Sequence, residues 1–135
     1  MLRKNAKIEL IRGVPLFAEC SNRELGEIAS LADELSLPAG RKLATEDAAG
    51  HEFIVLVEGA AEVKRGSRVI NRLAAGDFLG EISLVTGRKR TATVTTTEPS
   101  RLLILTAPSF RTLLRDLPGL QLKVLDALAA RLPEE

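Results

Sequence analysis

Hydrophobic positions recur along the chain with two different spacings, and the change between them divides it into three parts. Leu25, Ile28 and Ala29 follow at helical spacing after Ser21 and Glu24, and a serine with glutamate three residues later is typical of a helix start. From residue 33 the pattern changes to short apolar runs between glycine and proline turns, which is typical of strands. Helical spacing returns after residue 106. The predicted parts are N-terminal helices over 1–32, strands over 33–106 and two helices over 107–132.

The middle part contains the predicted strands. Residues 53–57 form a continuous apolar run, so this strand is predicted to be buried on both faces. Residues 60–65 and 68–73 alternate instead, and in the second of them Asn71 is predicted on the face opposite to Ile70. Many short strands joined by tight turns indicate antiparallel pairing. The predicted fold class is therefore α+β: an antiparallel β jelly-roll sandwich flanked by N-terminal helices and by two C-terminal helices.

Two amphipathic helices are predicted after the strands. The first begins at Ala107-Pro108, because proline is favoured in the first turn of a helix. Its inward side chains are predicted to be Phe110, Leu113, Leu114 and Leu117. The inward stripe of the second helix is predicted to be Leu120, Val124, Leu125, Leu128 and Leu132. Arg131 lies seven residues after Val124, so it is predicted at the edge of this stripe.

Composition limits the functions that are open to the chain. The sequence has 135 residues, 45% of them hydrophobic and 27% charged, which predicts one globular domain over 1–135. A formal net charge of +1 is far from the basic excess of a nucleic-acid binder, so no nucleic-acid partner is expected. No apolar run approaches the roughly 20 residues that cross a bilayer, so no membrane partner is expected. We also expect no enzyme, because no nucleophile or paired acid and base stands out.

One cysteine and one histidine limit the chemistry further. Cys20 has no partner for an internal disulfide, which fits a reducing cytoplasm, the predicted location. Cys20 and His51 together cannot supply the usual zinc ligand sets, so no metal is expected. Because Cys20 precedes a predicted helix start, the helix N-terminus would lower its pKa, whereas packing as a small apolar residue would leave the thiol inert. We prefer the second interpretation.

The stretch 76–94 carries the candidate chemistry. Residues 80–85 are predicted to form one short helical turn, whose leading backbone amides lack partners and favour an anion. Gly80 lets a ligand approach the backbone closely. Glu81 can accept hydrogen bonds from a sugar diol, and Arg90 offers a planar donor fork to a phosphate, with the Thr91 hydroxyl beside it. These groups together predict a small sugar-phosphate site.

The same residues resemble the phosphate-binding cassette of the cyclic nucleotide-binding domain family. Gly80-Glu81, the apolar or small residues after them, and then Arg90-Thr91-Ala92 occur at the family's spacing. The sequence departs from the family pattern at Leu79, where phenylalanine is common, and at Lys89, where proline is frequent. The order of the predicted elements is similar too, so the resemblance covers nearly the whole chain.

The resemblance implies a role for each cassette residue. Glu81 would hold the ribose 2′-hydroxyl, while Arg90 and Thr91 would hold the cyclic phosphate together with backbone amides. The cassette residues implied in binding are Gly80, Glu81, Ile82, Ser83, Arg90, Thr91 and Ala92.

Residues outside the cassette are implied as well. Apolar residues beside the base would come from the two preceding strands, at Val63 and Ile70, with Asn71 as a further candidate. A sandwich would also use Val63 and Ile70 simply as core residues. The last helix would act as a lid over the nucleotide, with Arg131 beside Glu81.

Two functions fit these observations. The first is a cyclic-nucleotide sensor, a regulatory module that binds cAMP or cGMP, has no output domain of its own and signals to an unidentified protein effector. The second is a fold of this kind that no longer binds ligand and serves as a protein-interaction domain. We favour the first, because Glu81 and Arg90, which degenerate members usually lose, are both present. A jelly-roll metalloenzyme is disfavoured by the single histidine. We expect no cofactor other than the nucleotide ligand, and a monomer or weak dimer.

Overall fold

Helices at both ends of the chain enclose a run of strands. The computed structural model describes residues 4–47, 52–80 and 92–131. The helices are α1 (Lys4–Arg12), a short 3-10 helix (Pro15–Phe17), α2 (Asn22–Leu31), α3 (Ala107–Asp116) and α4 (Pro118–Arg131). The strands are β1 (Asp33–Leu37), β2 (Lys42–Ala44), β3 (Glu52–Glu58), β4 (Ala60–Arg65), β5 (Arg68–Ala74), β6 (Phe78–Leu79), β7 (Thr93–Thr96) and β8 (Ser100–Thr106).

The strands form two four-stranded sheets. The first sheet has the order β1-β8-β3-β6 and the second has the order β2-β7-β4-β5. Neighbouring strands within each sheet run antiparallel. The α+β sandwich with helices before and after it is therefore confirmed.

The central strands of the first sheet are apolar on both faces, as the continuous run at 53–57 predicts. Successive side chains of a strand point to opposite faces, so β3 contributes to two separate cores. Phe53 and Val55 pack against the helices, whereas Ile54 and Leu56 pack between the two sheets. We call the first of these the helix-side core and the second the sandwich core.

The helix-side core is built around stacked aromatic rings. The ring of Phe110 in α3 lies 4.4 Å from that of Phe53 at an interplanar angle of 17°, and both side chains are fully buried. Leu25 of α2 is buried in the same core. The start of α2 is the predicted capping box, since the backbone N–H of Glu24 donates to Ser21 Oγ at 3.2 Å and that of Ser21 donates to Glu24 Oε1 at 2.8 Å.

The inward face of α4 is narrower than predicted. Leu120 and Val124, one turn apart, are buried in the helix-side core. Leu125, however, is 57% exposed, so its assignment to the inward stripe is wrong. One residue along a helix is a rotation of about 100°, and α4 packs on one side only, so Leu125 is carried away from the core. The remaining predicted stripe positions, the side chain of Leu128 and the whole of Leu132, lie outside the described residues.

Candidate functional site

The cassette begins where β6 ends. Leu79, the last residue of β6, is buried in the sandwich core, and Gly80 follows it with φ +101°. Side-chain-bearing residues rarely adopt this backbone conformation, so glycine is required at the turn into the cassette. This agrees with the predicted turn at Gly80.

Hydrogen bonds fix the chain just before the cassette. The backbone N–H of Ala74 donates to Asp77 Oδ2 at 2.8 Å, and that of Asp77 donates back to the Ala74 carbonyl at 3.0 Å. The turn is also tied to β3, because Gly76 N–H donates to the Leu56 carbonyl at 2.7 Å and Leu56 N–H donates to the Asp77 carbonyl at 2.8 Å. Sequence reasoning missed Asp77, although an aspartate beside a turn glycine is a recognisable turn signal.

The second sheet presents a row of side chains across three of its strands. Val63 of β4 pairs with Val94 of β7 on one side and with Asn71 of β5 on the other. Directly opposed residues of paired strands have their side chains on the same face, so these three form one row across the sheet. Val94 is buried, Val63 is half-buried and Asn71 is exposed, so the row leads from the core outward to the edge strand.

This row marks where the sandwich core opens. One step further into the sandwich, Ala61 pairs with Leu73, and both are buried. At the row of Val63 and Asn71 the same face becomes accessible. Ala92 is buried and lies just before β7, two residues before Val94. We call Val63, Asn71 and Ala92 the open end of the sandwich core.

A β-bulge places Ile70 at this end. Asn71 pairs with Val63, but the next pair is Lys64 with Val69, so Ile70 is an extra residue in β5. A bulge sets two residues against one and re-aims side chains, so the strict alternation predicted for residues 68–73 is broken here. Ile70 is 41% exposed, and its alternative assignment to the core is therefore wrong.

Charged side chains stay off the apolar row. Glu62, which neighbours Val63 in β4 and so faces the other side of the sheet, lies 3.8 Å from Arg72 Nη2 and 4.0 Å from Lys64 Nζ. These pairs are largely exposed and contribute little to stability. Their side of the sheet is therefore charged, whereas the side with Val63 and Val94 is apolar.

The predicted site residues fall into three groups. Val63 packs against the sandwich core, and Ile70 lies at the bulge of the neighbouring strand β5. Gly80 directly follows Leu79 of that core, and Ala92 is buried just before β7. Arg131 is the last residue of α4, and its side chain lies outside the described residues. The cassette residues that lie outside the described residues are Glu81, Ile82, Ser83, Arg90 and Thr91. Their roles stay predictions.

Cys20 is not set up as a reactive thiol. Burial raises its pKa above the ordinary value, and the neighbouring carboxylate of Glu24 raises it further. A raised pKa keeps the thiol protonated at neutral pH, which agrees with the preferred packing interpretation. Among residues 4–47, 52–80 and 92–131 no group of three metal-binding side chains comes together. No helix in the described part of the chain is long and apolar enough to cross a membrane.

The sequence and the fold both match a known family. The sequence profile of the cyclic nucleotide-binding domain matches residues 34–116, which is more than half of the chain. The chain therefore belongs to the cyclic nucleotide-binding domain family. It is 32% identical over 128 residues to the cAMP-dependent protein kinase regulatory subunit of Mycosarcoma maydis, a match that covers 87% of this chain and 24% of that protein. The chain thus spans about a quarter of the length of this relative.

Two solved structures show the same architecture. The regulatory domain of Toxoplasma gondii protein kinase A, described with cAMP, superposes with a TM-score of 0.80 at 21% identity, over 98% of this chain and 51% of that one. The regulatory subunit of a cAMP-independent protein kinase A from Trypanosoma brucei superposes with a TM-score of 0.84 at 18% identity, over 98% of this chain and 48% of that one. These likenesses establish the fold of the chain.

Proposed function

We propose that the chain binds a purine cyclic nucleotide, cAMP or cGMP, and acts as a regulatory module. The observation that carries this proposal is the open end of the sandwich core. Gly80 directly follows Leu79 and Ala92 lies two residues before Val94, and Leu79 and Val94 are both buried in the sandwich core, so the segment 81–91 leaves this core and returns to it. The anion-binding turn that the sequence predicts at residues 80–85 would offer a place for a phosphate, and the accessible apolar surface of the open end would offer one for a base.

Each part of the nucleotide has a proposed partner. Arg90 and Thr91 hold the cyclic phosphate, together with the backbone amides of 80–82 and Ala92. Arginine suits this role because its planar fork donates two hydrogen bonds and fixes the orientation of the phosphate. Glu81 accepts a hydrogen bond from the ribose 2′-hydroxyl. The base lies against Val63 and Ile70, whose exposed apolar surface it covers.

The exposure of Ile70 favours this function over a ligand-free interaction domain. A sandwich that had lost its ligand would be expected to close its core, yet Val63 stays accessible and Ile70 at the neighbouring bulge is exposed. Glu81 and Arg90 are also both retained in the sequence.

The lid helix gives a route from the ligand to an effector. Lys123 of α4 donates to the Pro15 carbonyl at 3.4 Å and lies 3.8 Å from Glu19, so one cation joins α4 to the segment after α1. Both contacts are exposed and weak, so the position of α4 depends mainly on the packing of Leu120 and Val124 in the helix-side core. A nucleotide that favours one position of α4, with Arg131 near Glu81, would shift the population toward that position.

The remaining properties follow as proposals. Residues 1–135 act as one binding domain, without catalytic activity, whose state is read by a protein effector. A monomer or weak dimer is proposed. The single cysteine remains the reason for proposing a cytoplasmic location.

Calorimetry and thermal unfolding test the proposal. We would titrate the chain with cAMP and with cGMP, and use 5′-AMP, which has an open phosphate, as the control. A cyclic nucleotide at 100 times its Kd is expected to add about 2.7 kcal/mol to the free energy of unfolding. Equal and negligible shifts with all three compounds would favour the ligand-free interaction domain.

A further inference from the structure

The tip of the β4–β5 hairpin extends beyond the sandwich core. β4 ends at Arg65 and β5 begins at Arg68, so the turn between them consists of Gly66 and Ser67. Every residue from 64 to 72 is exposed, whereas Ala61, further back along the hairpin, is buried. The hydroxyl of Ser67 has no hydrogen-bond partner among the described residues. It is therefore open to chemistry from outside the chain.

Ser67 differs from the other serines of the chain in the charges around it. Lys64 and Arg65 precede it by three and two residues, and Arg68 follows it directly. No other serine in the sequence has basic residues both two and three positions before it. Ser30 on α2 is exposed as well, but its hydroxyl donates to the Glu27 carbonyl at 2.7 Å, and the residue three positions before it is acidic.

The cations at the tip are arranged against one another. Arg65 and Arg68 lie directly opposite each other across the hairpin, and like charges in that arrangement destabilise a strand pair. A carboxylate is also present, because the Gly66 N–H donates to Glu46 Oε1 at 2.8 Å. A phosphate on Ser67 would carry a charge of about −1.5 to −2 and would accept hydrogen bonds from both arginines. The tip therefore favours a phosphorylated serine despite Glu46.

The tip can open without disturbing either core. A serine in a two-residue turn has to become extended before it can lie in the substrate groove of another enzyme. Two residue pairs lie beyond the bulge at Ile70, namely Lys64 with Val69 and Arg65 with Arg68. All of these residues are exposed, so opening the tip uncovers no buried side chain. Segments of this kind open at low cost in free energy.

We infer that Ser67 is a phosphorylation site for a protein kinase that selects serines preceded by basic residues. The kinase transfers the γ-phosphoryl group of ATP to Ser67 Oγ. The bond from the γ-phosphorus to the bridging oxygen breaks and releases ADP, a bond to Oγ forms, and the hydroxyl proton passes to the catalytic aspartate of the kinase. Kinases distinguish substrates by their charge pattern, and an acidic substrate groove is complementary to Lys64 and Arg65. This inference is independent of nucleotide binding.

Phosphorylation of the full chain in vitro tests the site. The chain is incubated with Mg-ATP and the catalytic fragment of protein kinase C, which accepts serines among basic residues, and the modified residue is located by mass spectrometry. Phosphate is expected on Ser67 and is expected to be absent from Ser67→Ala. Ser30 serves as the internal control and should stay unmodified, because it is exposed but lacks the cations.

Charge variants test the selection. Lys64→Gln and Arg65→Gln should each lower kcat/KM for phosphorylation by about ten- to hundredfold, because each removes a charge-assisted contact with the kinase. Arg72→Gln makes the same change of charge in the same hairpin, but five residues after Ser67, and should stay within about twofold. Thermal unfolding of each variant checks that the fold is retained.

Three results would overturn the inference. The first is a lack of phosphate on Ser67 in the unaltered chain, including a result in which Thr91, which also follows basic residues, is modified in its place. The second is incorporation that persists undiminished in Ser67→Ala. The third is an equal loss of rate in Arg65→Gln and Arg72→Gln, because the kinase would then respond to net charge rather than to the residues before Ser67. None of these results affects the proposed function, which is tested by titration with nucleotides.

Discussion

The two hydrophobic cores of the molecule share the strands β3 and β8 but differ in how they end. The helix-side core is closed by α2, α3 and α4, with Phe53 and Phe110 stacked and fully buried. The sandwich core is closed at Ala61 and Leu73, and it opens one step further along the same strands. The helices cover one face of the first sheet, whereas the far end of the second sheet has no such cover among the described residues.

The closed core is expected to contribute mainly to stability and the open end mainly to ligand binding. A closed core of large side chains supplies much of the free energy of folding, because deletion of buried atoms leaves a cavity. The open end contributes less to folding, but its exposed apolar surface can be covered by a ligand. Substitutions in the helix-side core are therefore expected to change the free energy of unfolding. Substitutions at the open end of the sandwich core are expected to change the affinity for the ligand.

The largest effect is expected in the helix-side core. Phe110→Ala should lower the free energy of unfolding by about 3–5 kcal/mol, because it removes a fully buried ring. Denaturant unfolding measures this loss. Leu125→Ala on α4 is the control, since that side chain is 57% exposed and the change should stay within about 0.5 kcal/mol. An equal loss of unfolding free energy in the two variants would mean that α4 buries the face that carries Leu125.

The ribose contact comes next. A carboxylate only accepts hydrogen bonds, so Glu81 requires the 2′-hydroxyl as its donor. The 2′-deoxy analogue of cAMP should bind about ten- to hundredfold more weakly than cAMP, since a hydrogen bond to a charged group contributes about 1.5–3 kcal/mol. Calorimetric titration of the unaltered chain and of Glu81→Ala with both ligands measures this difference in affinity. If the analogue binds as tightly as cAMP, Glu81 does not hold the ribose.

The smallest effect tests the bulge. Ile70→Ser and Val69→Ser replace neighbouring side chains that are 41% and 37% exposed, so both should leave stability within about 0.5 kcal/mol. Only Ile70→Ser is expected to weaken nucleotide binding, by about fivefold, because only Ile70 is placed beside the base. Parallel titrations and thermal melts separate the two effects. A weaker affinity in Val69→Ser alone would place the base on the other face of β5.

Local sequence determined the parts of the fold that depend on local interactions. The capping box at Ser21 and Glu24 and the two-sided burial of residues 53–57 were both predictable, because each follows from neighbouring residues. The bulge at Ile70 was not, because register depends on how two strands pair and on the turn between them. Alternation therefore placed Ile70 and Asn71 on opposite faces.

The residues of the candidate site were predictable from the sequence, but their local geometry was not. The cassette residues were found through their spacing and through the resemblance to a family, not through periodicity. The orientation of the Asn71 amide could not have been found in either way, because it depends on one hydrogen bond to the Arg72 N–H. Leu125 shows a related limit, since a repeating stripe does not say how wide a face the neighbouring elements cover.

Titration of Arg90→Leu beside Arg88→Leu with cAMP and cGMP tests the central claim most directly. Both arginines lie in the same short basic segment, but only Arg90 is followed by threonine and alanine at the family spacing. Loss of its fork leaves a phosphate charge unpaired, so binding should weaken by at least about 1.5–3 kcal/mol in Arg90→Leu and by less than about 0.5 kcal/mol in Arg88→Leu. Both variants should melt near the temperature of the unaltered chain. Equal weakening in the two would mean that a diffuse basic segment, and no specific phosphate site, attracts the nucleotide.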